Sequence, residues 1–144
     1  MSRTIPVSRI MRREFVSLNL EDTLDFAGDV MNLGRIRHLP VLEDGKLVGV
    51  VSQRDLLAGS LSRLLEADAG RQRTFQRTVE VNQVMNAPPI TVAPETTTDE
   101  AARLMLRHRI GCLPVLDPEG TPVGLLTETD LLRVAYAPPQ EDAP

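Results

Sequence analysis

The sequence has no tryptophan, one tyrosine and three phenylalanines, too few flat rings for the stacking platforms that hold single-stranded nucleic acids. Lysine is nearly absent as well: Lys46 is the only one among 16 basic residues, and 20 acidic residues leave a net charge of -4. No broad positive field is left to draw in a polyanion, so nucleic acid is not an expected partner. A single cysteine, Cys112, excludes an internal disulfide. Its place in the apolar run from Cys112 to Leu116 marks it as a small core hydrophobe. No apolar stretch approaches the roughly 18 residues of a membrane span, and the start of the chain, Met1 to Pro6, lacks the apolar segment of a secretory signal. The expected compartment is the cytoplasm, with no membrane partner. The two histidines, His38 and His108, stand near no serine or cysteine in a nucleophile motif, and no metal-ligand spacing occurs. Catalysis, a metal and a required cofactor are therefore not expected.

What the chain does contain is a repeat. Residues 7 to 42 align without a gap on residues 81 to 116, a constant spacing of 74 (81 minus 7). Met11 falls on Met85, and Glu21, Thr23, Asp25, Ala27 and Met31 fall on Glu95, Thr97, Asp99, Ala101 and Met105. The run Leu39-Pro40-Val41-Leu42 falls on Leu113-Pro114-Val115-Leu116. Beyond a turn one residue longer in the second copy, Val48 to Leu57 lies against Val123 to Leu132. An insertion confined to a turn, with register kept on both sides, is the mark of duplicated structure. In 144 residues the two copies are half-sized units that must share burial.

Each copy reads as strand, helix, strand, strand, helix. The first strand, Phe15 to Leu18 or Pro89 to Val92, leads to a capping signal such as Thr97-Thr98-Asp99-Glu100. Leu24, Ala27 and Met31 recur at the spacing of one buried helix face. Two apolar runs, His38 to Leu42 and Leu47 to Val51, flank Asp44-Gly45, a hairpin turn signal. A closing helix is expected to start near Asp55 with Leu57, Leu61, Leu64 and Leu65 as its core stripe. The organisation is thus repeat one at 7–65, a linker at 66–80, repeat two at 81–136 and a disordered tail at 137–144. The linker carries Arg71, Arg73 and Arg77, read as a solvated face.

The pattern that bears on function is Gly-apolar-apolar-Ser/Thr-x-x-Asp, present as Gly49 to Asp55 and as Gly124 to Asp130. One reading is a capping box, in which Ser52 or Thr127 and the aspartate three residues on satisfy free backbone N-H groups. The other uses the same geometry to present a hydroxyl, N-H groups and a carboxylate to a phosphate and a ribose diol. Both stay open on the residues alone.

Taken together, the openings Val7-Ser8-Arg9-Ile10-Met11 and Val81-Asn82-Gln83-Val84-Met85, the two Leu-Pro-Val-Leu runs and the two Gly-x-x-Ser/Thr-x-x-Asp ends resemble a tandem pair of CBS domains, or Bateman module, over residues 7 to 135. The resemblance implies an α/β (α+β) fold of two β-α-β-β-α repeats related by a pseudo-twofold axis, with sheets side by side and two clefts. By matching position, one cleft would use Ser52, Arg54 and Asp55 with Ile90, Thr91, Gly111, Cys112 and Leu113. The other would use Thr127, Thr129 and Asp130 with Val16, Ser17, Arg37, His38 and Leu39. The aspartates would hold ribose hydroxyls, and the backbone near Leu39 and Leu113 would read an adenine edge. The repeats differ at their first strands, Arg13 to Ser17 standing where the second copy has Ala87-Pro88-Pro89-Ile90-Thr91.

The function implied is a stand-alone regulatory module that takes AMP, ADP or ATP as a reversible ligand, with energy sensing as its role. Its output would pass through a homodimer or a separate effector protein. The alternatives are a ligand-free dimerisation or interaction module, and a site for another adenosyl compound such as S-adenosylmethionine.

Overall fold

The computed structural model describes residues 5–64 and 79–136, with side chains in every part except 59–64. The expected linker cluster of Arg71, Arg73 and Arg77, the side chains of Leu61 and Leu64, Leu65, and the tail lie outside what is described. The chain divides into two compact units that do not coincide with the two sequence copies. One unit joins Phe15 and the described residues before it to those from Ile90 onward, and the other runs from Val16 to Pro89. Each copy therefore lends its opening segment to the unit built by the other.

In the unit running from Val16, the short strand β1 (Leu18–Asn19) leads to helix α1 (Leu24–Gly34), then β2 (His38–Glu43), β3 (Lys46–Ser52) and α2 (Gln53–Leu64). Strand β1 pairs in parallel with β2, Leu18 against Val41, and β2 pairs antiparallel with β3, His38 against Ser52 and Leu39 against Val51. The hairpin turns on Asp44 (φ 52°) and Gly45 (φ 80°), the doubly positive pair that matches the twist of the flanking strands. Thr23 caps α1 by accepting the Phe26 N-H at 3.2 Å, and Leu24, Ala27 and Met31 form its buried face, as their spacing requires. A single 3-10 turn at Val81–Gln83 closes the same core: Val81 is fully buried with Leu18, Leu39, Val41 and Val51, and its N-H reaches Asp22 O at 2.7 Å.

The other unit repeats this plan. Helix α3 (Thr98–His108) is capped by Thr97, and β4 (Cys112–Leu116) pairs antiparallel with β5 (Pro122–Thr127) ahead of α4 (Glu128–Tyr136). The first strand shrinks to one parallel bridge, Val92 with Val115. A 3-10 turn at Val7–Arg9 supplies buried Val7 to the core of Leu113, Val115 and Leu126.

Two expectations shift by a few residues. The first strand is centred on Leu18, so Val16 and Ser17 precede it and are exposed. The closing helix opens at Gln53 rather than near Asp55, with Ser52 as the residue that caps it, and on it Leu56 packs against the core while Leu57 is 59% exposed.

The motif glycines are explained by packing. A Cβ on Gly49 would stand 2.5 Å from Met85 Sδ and 3.0 Å from the Asn86 carbonyl, and one on Gly124 would meet Met11 Sδ at 2.5 Å and the Arg12 carbonyl at 3.1 Å. The opening segments lie directly over these glycines, where the Arg12 N-H and carbonyl exchange hydrogen bonds with Leu125 and those of Asn86 with Val50. Because a backbone carbonyl cannot swing away as a side chain can, Gly49→Ala and Gly124→Ala should each lower stability by about 1–3 kcal/mol. A urea unfolding midpoint unchanged from wild type would refute this.

Candidate functional site

Each Gly-x-x-Ser/Thr-x-x-Asp pattern forms a corner where a strand ends and a helix begins. In the first copy the Ser52 N-H donates to Asp55 Oδ2 at 2.8 Å, and the Asp55 N-H donates to Ser52 Oγ at 3.0 Å. In the second the Thr127 N-H and Oγ1 both donate to Asp130 Oδ2, at 2.9 and 3.0 Å, and the Asp130 N-H returns to Thr127 Oγ1 at 3.4 Å. Both aspartates therefore act as caps. Oδ1 takes none of these bonds in either corner, so capping leaves one oxygen of each carboxylate for another partner.

The neighbouring strand completes each corner. His38 is half-buried and lies opposite Ser52 in the ladder, while the carbonyl of exposed Arg37 accepts the Gln53 N-H at 2.7 Å. In the second copy Cys112 lies opposite Thr127, and the Gly111 carbonyl accepts the Glu128 N-H at 3.0 Å. Arg54 and Thr129, on the first turns of α2 and α4, are exposed. Leu39 and Leu113 are fully buried and offer only backbone to a ligand. Ile90 and Thr91 are half-buried just before the Val92 bridge, and Val16 and Ser17 are exposed ahead of β1. The structure thus joins Ser52 and Asp55 to Arg37 and His38, and Thr127 and Asp130 to Gly111 and Cys112.

Cys112 is 5% exposed and unpaired. Burial, with the Asp130 carboxylate adding to it, pushes its thiol up to about 12 from an ordinary 9.0. A thiol held protonated is neither nucleophile nor ligand, in keeping with its reading as a core hydrophobe. In native protein at pH 8 it should stay unmodified by a thiol-reactive disulfide reagent and be titrated fully once urea unfolds the chain. Rapid native labelling would show the burial to be wrong. Among the described residues no cluster of three His, Cys, Asp or Glu side chains could hold a metal ion, and no helix is long and apolar enough to cross a membrane.

Two residues at the corners were not singled out by the sequence motifs. Arg12 Nε lies 3.5 Å from Asp130 Oδ1, and Asn86 Nδ2 donates to Asp55 Oδ2 at 3.0 Å. They occupy the same place in the two copies, each directly after the methionine that covers a motif glycine. Their spacing of 74 is the available signal, but the opening segments show no alternation or helical period that would aim them at an aspartate.

Comparison with known proteins gives a consistent picture. The CBS domain family profile matches residues 7–62 and again 81–137. A CBS domain-containing protein of Dictyostelium discoideum is 35% identical over 127 residues, covering 88% of each chain. The inosine-5'-monophosphate dehydrogenase of Korarchaeum cryptofilum is 34% identical over 119 residues, which are 83% of this chain and 22% of that enzyme. Among solved structures, CBSX2 in complex with AMP superposes with a TM-score of 0.75 at 30% identity, over 90% of this chain and 95% of that one.

Proposed function

The chain belongs to the CBS domain family as a tandem pair, and from that membership we propose that it is a regulatory module whose strand-to-helix corners bind an adenine nucleotide. The observation that carries the reading is the twofold recurrence of one polar corner, a hydroxyl beside a carboxylate with one oxygen outside the cap, in a fold shared with an AMP-bound relative. Asp55 and Asp130 are the ribose-binding groups, because a diol donating two hydrogen bonds to an ionised carboxylate gains roughly 1.5–3 kcal/mol from each. Ser52 and Thr127 stand beside the ribose or phosphate, with Arg54, Thr129, Arg37 and His38 as polar neighbours. Ile90, Thr91, Gly111, Cys112, Leu113, Val16, Ser17 and Leu39 complete the set that the family resemblance assigns.

A thermal-shift panel of AMP, ADP, ATP and S-adenosylmethionine tests this. A ligand at 100 times its dissociation constant stabilises by about 2.7 kcal/mol, several degrees for a chain of this size. AMP should produce that shift in wild type and lose most of it in Asp55→Ala.

A second reading is favoured by the caps themselves: both carboxylates already serve their own main chain, which a ligand-free interaction module would equally need. That module is the conclusion if no adenine compound moves the melting temperature. In either case the signal leaves through a homodimer or an effector protein, and the exposed Leu33, Leu106 and Tyr136 give such contacts an apolar footing.

A further inference from the structure

The two corners are alike in their caps and unlike in their fourth partner. In the second copy Asp130 is 5% exposed, Oδ2 takes the cap and Oδ1 faces the Arg12 guanidinium, so both oxygens are engaged and the charge is matched. In the first copy Asp55 is half-buried, and Oδ2 takes both the cap and the neutral Asn86 amide. No described hydrogen bond uses its Oδ1, and among the described residues no cation pairs with it. A ribose diol needs two acceptor positions on one carboxylate. Asp55 offers them as it stands, whereas Asp130 must first release a guanidinium.

We propose that Arg12 is the residue that makes the two ends unequal: it occupies Asp130 as an internal stand-in for ligand, so that the Ser52–Asp55 corner takes the nucleotide first. This rests on the nucleotide reading above and adds a determinant to it. A diol must displace this ion pair before it can use both oxygens of Asp130, a cost absent at Asp55, so the Asp130 corner binds roughly 10-fold more weakly than the Asp55 corner. Arg12 is half exposed at its side chain, free to swing out once displaced. The contrast is set by one position per copy, so exchanging the two residues should exchange the behaviour of the corners.

Calorimetric titration with AMP decides it. Wild type should take one tight equivalent per chain, and Arg12→Asn should take two of comparable affinity. Asn86→Arg should lose the tight equivalent, and the double exchange should restore one that is sensitive to Asp130→Ala in place of Asp55→Ala. Two equal equivalents in wild type, or an unchanged isotherm in Arg12→Asn, would overturn the proposal. Should none of AMP, ADP and ATP, titrated in turn, bind any of these proteins, the nucleotide reading fails, and the Arg12–Asp130 pairing is decided separately by melting. Arg12→Asn should then lower the melting temperature by a few degrees in wild type and not in an Asp130→Asn background. Equal losses in both backgrounds would overturn the pairing as well.

Discussion

Leu113→Ala should remove about 2–5 kcal/mol of unfolding free energy, a large share of the roughly 5–15 kcal/mol that holds a domain together. Leu113 is fully buried in β4, opposite the equally buried Leu126, and its neighbours Cys112, Pro114 and Val115 are buried too. A strand covered on both faces has no solvent side toward which it can relax, so the lost side chain leaves a cavity bounded by Val7, Val115 and Leu126. Leu39→Ala should cost as much in the other unit, where Leu39 lies opposite Val51 and both are fully buried. Leu106→Ala, at a helix position 80% exposed, should change stability by less than about 0.5 kcal/mol. Urea unfolding of the three variants compares them directly; a loss below about 1 kcal/mol for Leu113→Ala would mean that the β4 core is not packed as described. The result also bears on the site. Because Leu39 and Leu113 point inward and offer a ligand only their backbone, weakened nucleotide binding in these variants would report on folding, and the polar corners must be probed through Asp55 and Arg12.

The features legible in the sequence are those that depend on neighbours a few residues apart. Asp44-Gly45 marks its hairpin because only residues tolerant of positive φ fit both turn positions, and Thr23 and Thr97 mark helix starts because their hydroxyls cap an N-H three residues on. Leu24, Ala27 and Met31 declare a buried face through spacing alone. The closing stripe went astray at Leu57 because spacing says which residues share a face and not which face meets the core: Leu56 and Leu57 stand about 100° apart on the helix, and packing takes Leu56 inward and leaves Leu57 in solvent. The exchange of opening segments was not legible, since nothing local in Val7 to Met11 says whether it packs on its own copy or on the other. The Asp55 and Asp130 corners could be found from their capping pattern. That the two corners differ was legible too, since Arg37-His38 stands where the second copy has Gly111-Cys112; the part played by Arg12 and Asn86 was not, because Arg12 meets Asp130 and Asn86 meets Asp55 only through that exchange.

The stability of the chain should fall steeply between pH 9 and pH 12, and Cys112 should be the cause. Its thiol is pushed up to about 12 in the folded protein, first by burial and then by the Asp130 carboxylate, against 9.0 for an ordinary cysteine. Below pH 9 folded and unfolded chains both carry the proton, and the benefit of burying a neutral thiol is fully present. Between pH 9 and 12 the unfolded chain ionises while the folded one does not. Each pH unit then shifts the equilibrium toward unfolding by up to about tenfold, and a few kcal/mol are lost across the window. Other groups titrate here too, so the decisive quantity is the difference between wild type and Cys112→Ala measured at each pH. The variant should start less stable below pH 9, since it lacks the sulfur's packing, and should then decline more gently, so that the two curves converge. Asp130→Asn should flatten the wild-type slope only in part, because it relieves the smaller cause and leaves the burial. Parallel curves for wild type and Cys112→Ala from pH 8 to 12 would show that the thiol ionises as readily folded as unfolded, and would remove the reading of Cys112 as a buried thiol held protonated beside Asp130.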